Sequence, residues 1–127
     1  MQVRWKGGDT RMVTERDSRV SQFRKGALEL VILALLADGE LYGVEIVDRL
    51  ADRAGLEASA GTVYPLLSRL KKAGVVDTTW KESPVGPPRK YYRLSKAGTR
   101  ELAEMTASWR DISAAIDALL AEVSTRG

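Results

Sequence analysis

Between residues 69 and 96 the chain places eight Lys/Arg against two Asp/Glu, a local balance of +6 in a protein whose total is +3. Arg69, Lys71 and Lys72 come first. Lys81, Arg89, Lys90 and Arg93 follow around the turn-forming run Pro84-Val85-Gly86-Pro87-Pro88. Tyr64, Ser68, Trp80, Tyr91 and Tyr92 are interleaved with them. The rest of the charge is segregated as well: residues 1–25 sum to +4, 26–68 to −5 and 97–127 to −2. Two basic blocks separated by an acidic one describe a surface that faces a polyanion. The plainer alternative is a solvated surface with uneven charge.

The residues that are missing exclude other chemistry. Among 127 residues there is no histidine and no cysteine. Disulfides, thiol nucleophiles, zinc fingers, Ser-His-Asp triads and imidazole bases fall away together. Carboxylate-only metal sites and Lys or Tyr chemistry remain formally open, but no catalytic dyad or Gly-rich phosphate loop is present. The expectation is therefore no enzyme, no cofactor and no metal. With 44% hydrophobic and 29% charged residues the chain is one globular unit able to bury a core unaided. The longest nearly apolar run, Ala27 to Ala37, is interrupted by Glu29 and far short of the ~20 residues that span a bilayer. The first 25 residues lack an apolar signal core, so the expected location is the cytoplasm.

The elements that position the cations follow from periodicity. Residues 1–22 read as a flexible basic arm, with a short helix from Thr14 to Ser21 as one option and disorder as the other. Lys25 to Ala37 reads as a helix buried on most sides, ended by Asp38-Gly39. A second helix runs from about Tyr42 to Ala54, with Ile46, Val47, Leu50 and Ala54 inward and Gly55 as its stop. In a third, Val63, Leu66, Leu67, Leu70 and Ala73 share one face up to Gly74. Either Ser59 starts this helix with Pro65 inside it, or Thr62 starts it with Pro65 in the first turn. A hairpin follows, Val75 to Ser83 and Arg89 to Leu94. Ser95 then caps a long helix to about Val123, whose large apolar residues Leu102, Met105, Trp109, Ile112, Ile116, Leu119 and Val123 recur in steps of three and four, a coiled-coil seam.

Helix, helix, helix, hairpin and long helix, in that order, make a mainly α fold with a β-hairpin wing: a winged helix-turn-helix followed by a long C-terminal dimerisation helix. The outward face of the third helix holds Gly61, Tyr64, Pro65, Ser68 and Lys72, flanked by Arg69 and Lys71. Polar and aromatic groups at the centre with cations at the edge suit a major groove. The DNA-contacting set is accordingly Ser59, Thr62, Tyr64, Pro65, Ser68, Arg69, Lys71, Lys72, Lys81, Arg89 and Lys90, with Arg89 and Lys90 on phosphates. One of Tyr91 and Tyr92 faces inward and the other outward. Tyr42 packs and hydrogen-bonds locally, Glu29 is paired or at a helix edge, and Trp80 packs on the base of the wing.

Three segments resemble the PadR family of transcriptional regulators. Leu41-Tyr42-Gly43-Val44-Glu45-Ile46 is similar to the Tyr-Gly-x-Glu-Ile signature that opens that family's second helix. Ser59-Ala60-Gly61-Thr62-Val63-Tyr64-Pro65-Leu66-Leu67-Ser68-Arg69-Leu70 resembles its recognition helix. Gly86-Pro87-Pro88-Arg89-Lys90-Tyr91-Tyr92-Arg93-Leu94-Ser95-Lys96-Ala97-Gly98 resembles its wing and the start of its last helix. The single C-terminal helix is similar to the short subfamily. The resemblance implies a homodimeric winged-helix DNA-binding protein, usually a repressor whose DNA affinity falls when a small molecule binds. The wing departs from the family pattern, since Ser83-Pro84-Val85 replaces much of an acidic, Gly-rich tip.

The expected division is residues 1–22 as arm, 23–94 as DNA-binding domain and 95–127 as dimerisation helix. The seam from Leu102 to Val123 is expected to hold a homodimer, the alternative being that it folds back on its own domain. Trp109 resembles the tryptophan with which multidrug-sensing relatives stack flat drugs at the dimer centre. By that resemblance Trp109, Met105 and Ile112 would line a slot for a planar aromatic effector, neutral or cationic; otherwise Trp109 only fills the interface. The competing reading of the whole chain is a winged-helix module that binds another protein and no effector. The expected partners are double-stranded DNA and a second copy of the chain, with no membrane.

Overall fold

The apolar stretch after Lys25 forms helix α1, described over residues 26–36, in which Leu28, Ile32, Leu33 and Leu36 are buried. The computed structural model describes residues 26–53 and 55–126. The expectations for the arm, residues 1–22, and for Ala54 lie outside these residues. Strand β1 (Leu41–Tyr42), helix α2 (Gly43–Ala51), helix α3 (Ala60–Lys72), strands β2 (Val76–Lys81) and β3 (Arg89–Leu94) and helix α4 (Lys96–Arg126) follow.

The core gathers where α1, α2, α3 and the base of the sheet meet. Ile46 and Leu50 enter from α2, Val63, Leu66, Leu67 and Leu70 from α3, and Val76 and Tyr92 from the wing. Helix α2 is shorter than expected because its apolar stripe ends at Leu50. Ala51, Asp52 and Arg53 are exposed, and Asp52 closes the helix by donating its N–H to the Asp48 carbonyl. At its start the Glu45 carboxylate accepts the Tyr42 N–H at 3.0 Å, satisfying one orphan donor.

Helix α3 starts after Ser59, so Pro65 lies inside it. The carbonyl that loses its helical partner there belongs to Gly61, an exposed residue where water can replace the bond. The C-terminal end is closed by Gly74 at φ +79. The Gly74 N–H donates to the Lys71 carbonyl and the Val75 N–H to the Leu70 carbonyl, which is the Schellman arrangement.

The sheet has three strands in the order β1-β3-β2, not the two of a simple hairpin. Leu41 opposes Tyr92 and Tyr42 opposes Tyr91. Two residues of strand are too few to show alternation, which is why β1 is not legible as a pattern. Tyr92 is the inward member of the tyrosine pair; Tyr91 is half-buried, edge-on to Tyr42 with ring centres 5.4 Å apart.

Ser95 joins α4 to the rest. Its Oγ accepts the Gly98 N–H at 3.0 Å and donates to the Gly74 carbonyl at 2.6 Å, while its own N–H donates to the Val75 carbonyl. Gly98 presses so closely on that corner that a Cβ would fall 1.9 Å from the Val75 oxygen. Beyond the joint the apolar seam divides. Leu102 and Met105 pack against the core of their own domain. Trp109, Ile112, Ile116, Leu119 and Val123 are each about half exposed, as is Leu120.

Candidate nucleic-acid interface

The side of α3 away from the core exposes Gly61, Thr62, Tyr64, Pro65, Ser68, Arg69, Lys71 and Lys72, and Ser59 is exposed just before it. The sequence-based set on this helix thus shares one accessible face. Strand alternation and register divide the wing cations between two faces. Lys90 opposes Trp80 and shares its face with Tyr92, on the side of α3. Lys81, Arg89 and Arg93 share the other face with Tyr91.

Lys71, Lys72 and Lys90 converge with Ser68, Leu67 and Tyr92 around a recess of about 430 Å3 between α3 and β3. No carboxylate among the described residues pairs with any of the three lysines. The other three cations of the expected DNA-contacting set are engaged. Arg69 forms an ion pair with Glu29 of α1, which gives that isolated acid its partner, and Lys81 pairs with Glu40 before β1. Arg89 stacks over the Tyr42 ring, 4.5 Å from its centre, and Lys81 stands 5.1 Å from that of Tyr91.

Beside the lysine recess opens an aromatic cleft of about 580 Å3, to which Tyr64, Trp80, Pro87, Pro88, Lys90 and Tyr92 contribute. Trp80 does not pack on the base of the wing. It is 66% exposed, with Lys90 Nζ 6.0 Å from its centre. Val44 of α2 also lines the cleft and is half exposed. Neither had a sequence signal as a surface group, because both residue types ordinarily read as core. Burial pushes the Tyr92 hydroxyl above its usual range, and neighbouring Tyr64 adds to the effect.

Of the proposed effector residues, Trp109 and Ile112 are exposed on α4, while Met105 is half-buried against the core. No helix among the described residues is long and apolar enough to cross a membrane.

Three core helices, a three-stranded sheet whose last two strands form the wing and a long last helix define a winged helix-turn-helix protein. Residues 32–104 match the transcriptional regulator PadR-like family. A PadR family transcriptional regulator from Eggerthella lenta is 34% identical with a TM-score of 0.74, covering 86% of this chain and 96% of that one. A PadR-like regulator from Bacillus cereus is 37% identical with a TM-score of 0.71, covering 78% of this chain and 96% of that one. A transcriptional regulator of Mycobacterium tuberculosis is 35% identical over 83 residues, 65% of this chain and 76% of that protein. The chain belongs to the transcriptional regulator PadR-like family. That is a family of transcriptional regulators and not of enzymes.

Proposed function

We propose that this protein is a sequence-specific regulator of transcription that binds double-stranded DNA as a homodimer and represses until a small aromatic effector releases it. The observation that carries the DNA reading is the convergence of Lys71, Lys72 and Lys90 on one recess without carboxylate partners among the described residues. In this reading α3 enters the major groove from its N-terminal end, with Ser59 and Thr62 near the backbone and Tyr64, Pro65 and Ser68 toward base edges. The three lysines and Arg89 take phosphates, and Arg69 and Lys81 exchange their carboxylates for phosphates. Residues 1–22 act as an arm, 23–94 as the DNA-binding domain and 95–127 as the dimerisation helix. The exposed stripe from Trp109 to Val123 supports the dimer, since so long an apolar face invites a partner. Trp109 and Ile112, with the exposed edge of Met105, would wall the effector slot. The setting is the cytoplasm, and the reading needs no metal or cofactor.

The test is duplex binding by fluorescence anisotropy across salt concentrations. Log affinity should fall with log salt at a slope near −0.9 per phosphate neutralised, and replacing Lys71, Lys72 and Lys90 by Ala should flatten it by about 2 to 3. An unchanged slope removes these lysines from the interface. For the effector, planar aromatic dyes should bind wild type more tightly than Trp109→Ala in calorimetry; equal affinity removes the slot.

A further inference from the structure

The groove between α3 and the wing has two ends of different chemistry. At one, Tyr64, Trp80, Pro87 and Pro88 form walls without a carboxylate or side-chain amide among the groups that line it, and Arg89 adds a guanidinium. At the other, Lys71 and Lys72 flank Ser68. Lys90 and Tyr92 line both, so the two ends adjoin at these side chains. The Lys90 ammonium sits where they meet, 6.0 Å from the centre of Trp80 and 5.7 Å from that of Tyr92.

Each end constrains what fits. Trp80 is 66% and Tyr64 41% exposed, so a flat ring could stack on Trp80 and meet the open edge of Tyr64. Three ammonium groups lacking carboxylate partners among the described residues can receive more than one negative charge. A single carboxylate would leave part of that charge unmatched, whereas a phosphate monoester brings nearly two negative charges and three acceptor oxygens at neutral pH. Volumes of about 430 and 580 Å3 fall in the range of small-molecule sites. The occupant is therefore elongated, flat at one end and doubly charged at the other.

We propose that this groove binds a free nucleoside monophosphate, its base against Tyr64 and Trp80 and its phosphate among Lys71, Lys72 and Lys90, and that it does so in place of DNA. The competition rests on the DNA-binding reading above; the nucleotide site does not. It does not include Trp109, which lies on α4 and lines neither recess. Because the same lysines serve both ligands, displacement is direct and requires no relay through the dimer. Walls dominated by rings and prolines, with no carboxylate or side-chain amide to pair a base edge bidentately, imply little choice among bases.

The experiment is calorimetric titration of the full chain, free of DNA, with deoxyadenosine monophosphate, deoxyadenosine and inorganic phosphate. The nucleotide should saturate, and the nucleoside and the phosphate should each bind at least about tenfold more weakly, as expected when either stacking or charge pairing is lost. Trp80→Ala and the pair Lys71→Ala/Lys72→Ala should each weaken nucleotide binding about tenfold. Trp80, Lys71 and Lys72 are all exposed, and circular dichroism is to check that the variants fold. The nucleotide should also displace a labelled duplex, and deoxyadenosine should not. Failure to saturate at millimolar nucleotide, equal affinity for deoxyadenosine, or full affinity in both variants overturns the site. Nucleotide binding without displacement overturns the competition. Duplex binding without nucleotide binding defeats this proposal and leaves the DNA reading standing, while nucleotide binding without duplex binding does the reverse.

Discussion

The ring of Tyr64 on α3 rests against Gly43, the first residue of α2. A Cβ built on Gly43 would lie 2.5 Å from Tyr64 Cε1 and 3.0 Å from its hydroxyl oxygen. The absent side chain lets the ring lie against the start of α2 while one edge stays open to the groove. Gly43→Ala should therefore destabilise the fold by roughly 1 to 3 kcal/mol through overpacking. Adding Tyr64→Ala removes the obstacle, so the double variant should lose less than the two single losses combined. Urea unfolding of the four proteins checks this; additive losses would mean the ring moves aside freely.

The Glu29–Arg69 pair holds a cation of the outward helix face toward α1. Both side chains are partly exposed, so breaking the pair should cost less than about 1 kcal/mol. Glu29→Gln should nevertheless tighten duplex binding, because Arg69 no longer has to leave a carboxylate before meeting a phosphate. Anisotropy at low and high salt reads both affinity and slope. Unaltered affinity would show that Arg69 never reaches the DNA.

Ile116 lies within the exposed stripe of α4 and is 49% accessible. A carboxylate placed there should split the proposed dimer while sparing the domain core, which α4 touches through Leu102 and Met105 nearer its start. Sedimentation of Ile116→Glu at micromolar concentration should give a monomer with wild-type helicity. A folded variant that sediments as a dimer would move the interface elsewhere.

Tyr92 provides a pH signature. Its folded-state pKa lies above the ordinary tyrosine value because burial disfavours the phenolate, and Tyr64 adds in the same direction. The stabilisation linked to its protonated form is fully present below about pH 10 and is lost as the pH rises through the higher folded-state value. Between about pH 8 and about pH 11, wild type should thus lose more stability than Tyr92→Phe, which keeps the ring and has no proton to lose. Equal losses in urea unfolding would place the hydroxyl in water.

Local periodicity made much of this fold legible. The apolar run before Asp38, the stripe from Val63 to Leu70 and the step pattern from Leu102 to Val123 each repeat within a few residues, which is the range over which a helix displays its face. The second wing strand, Arg89–Leu94, carried turn residues before it and a cap after it, and it has the expected bounds. What escaped depends on distance along the chain. Glu29 and Arg69 are 40 residues apart and Glu40 and Lys81 are 41, so no spacing rule connects them. Trp80 looked like core by residue type, since hydrophobicity alone does not say which side of a hairpin is covered. The wing cations were read as one set because composition does not reveal register. One residue of shift decides whether a cation joins α3, as Lys90 does, or lies across the strand, as Arg89 does.

The joint at Ser95 makes α4 a lever without a hinge. Two hydrogen bonds tie Ser95 to the corner that ends α3, and Gly98 leaves no room for play against Val75. At 1.5 Å per residue the 31 residues of α4 extend about 46 Å. A tilt of this rod would press directly on the corner that ends α3. In the proposed dimer the crossing angle of two such rods would fix the distance between the two recognition helices. Operator spacing would then be inherited through α4, so that substitutions on a helix outside the proposed DNA-contacting set could retune which DNA the protein reads.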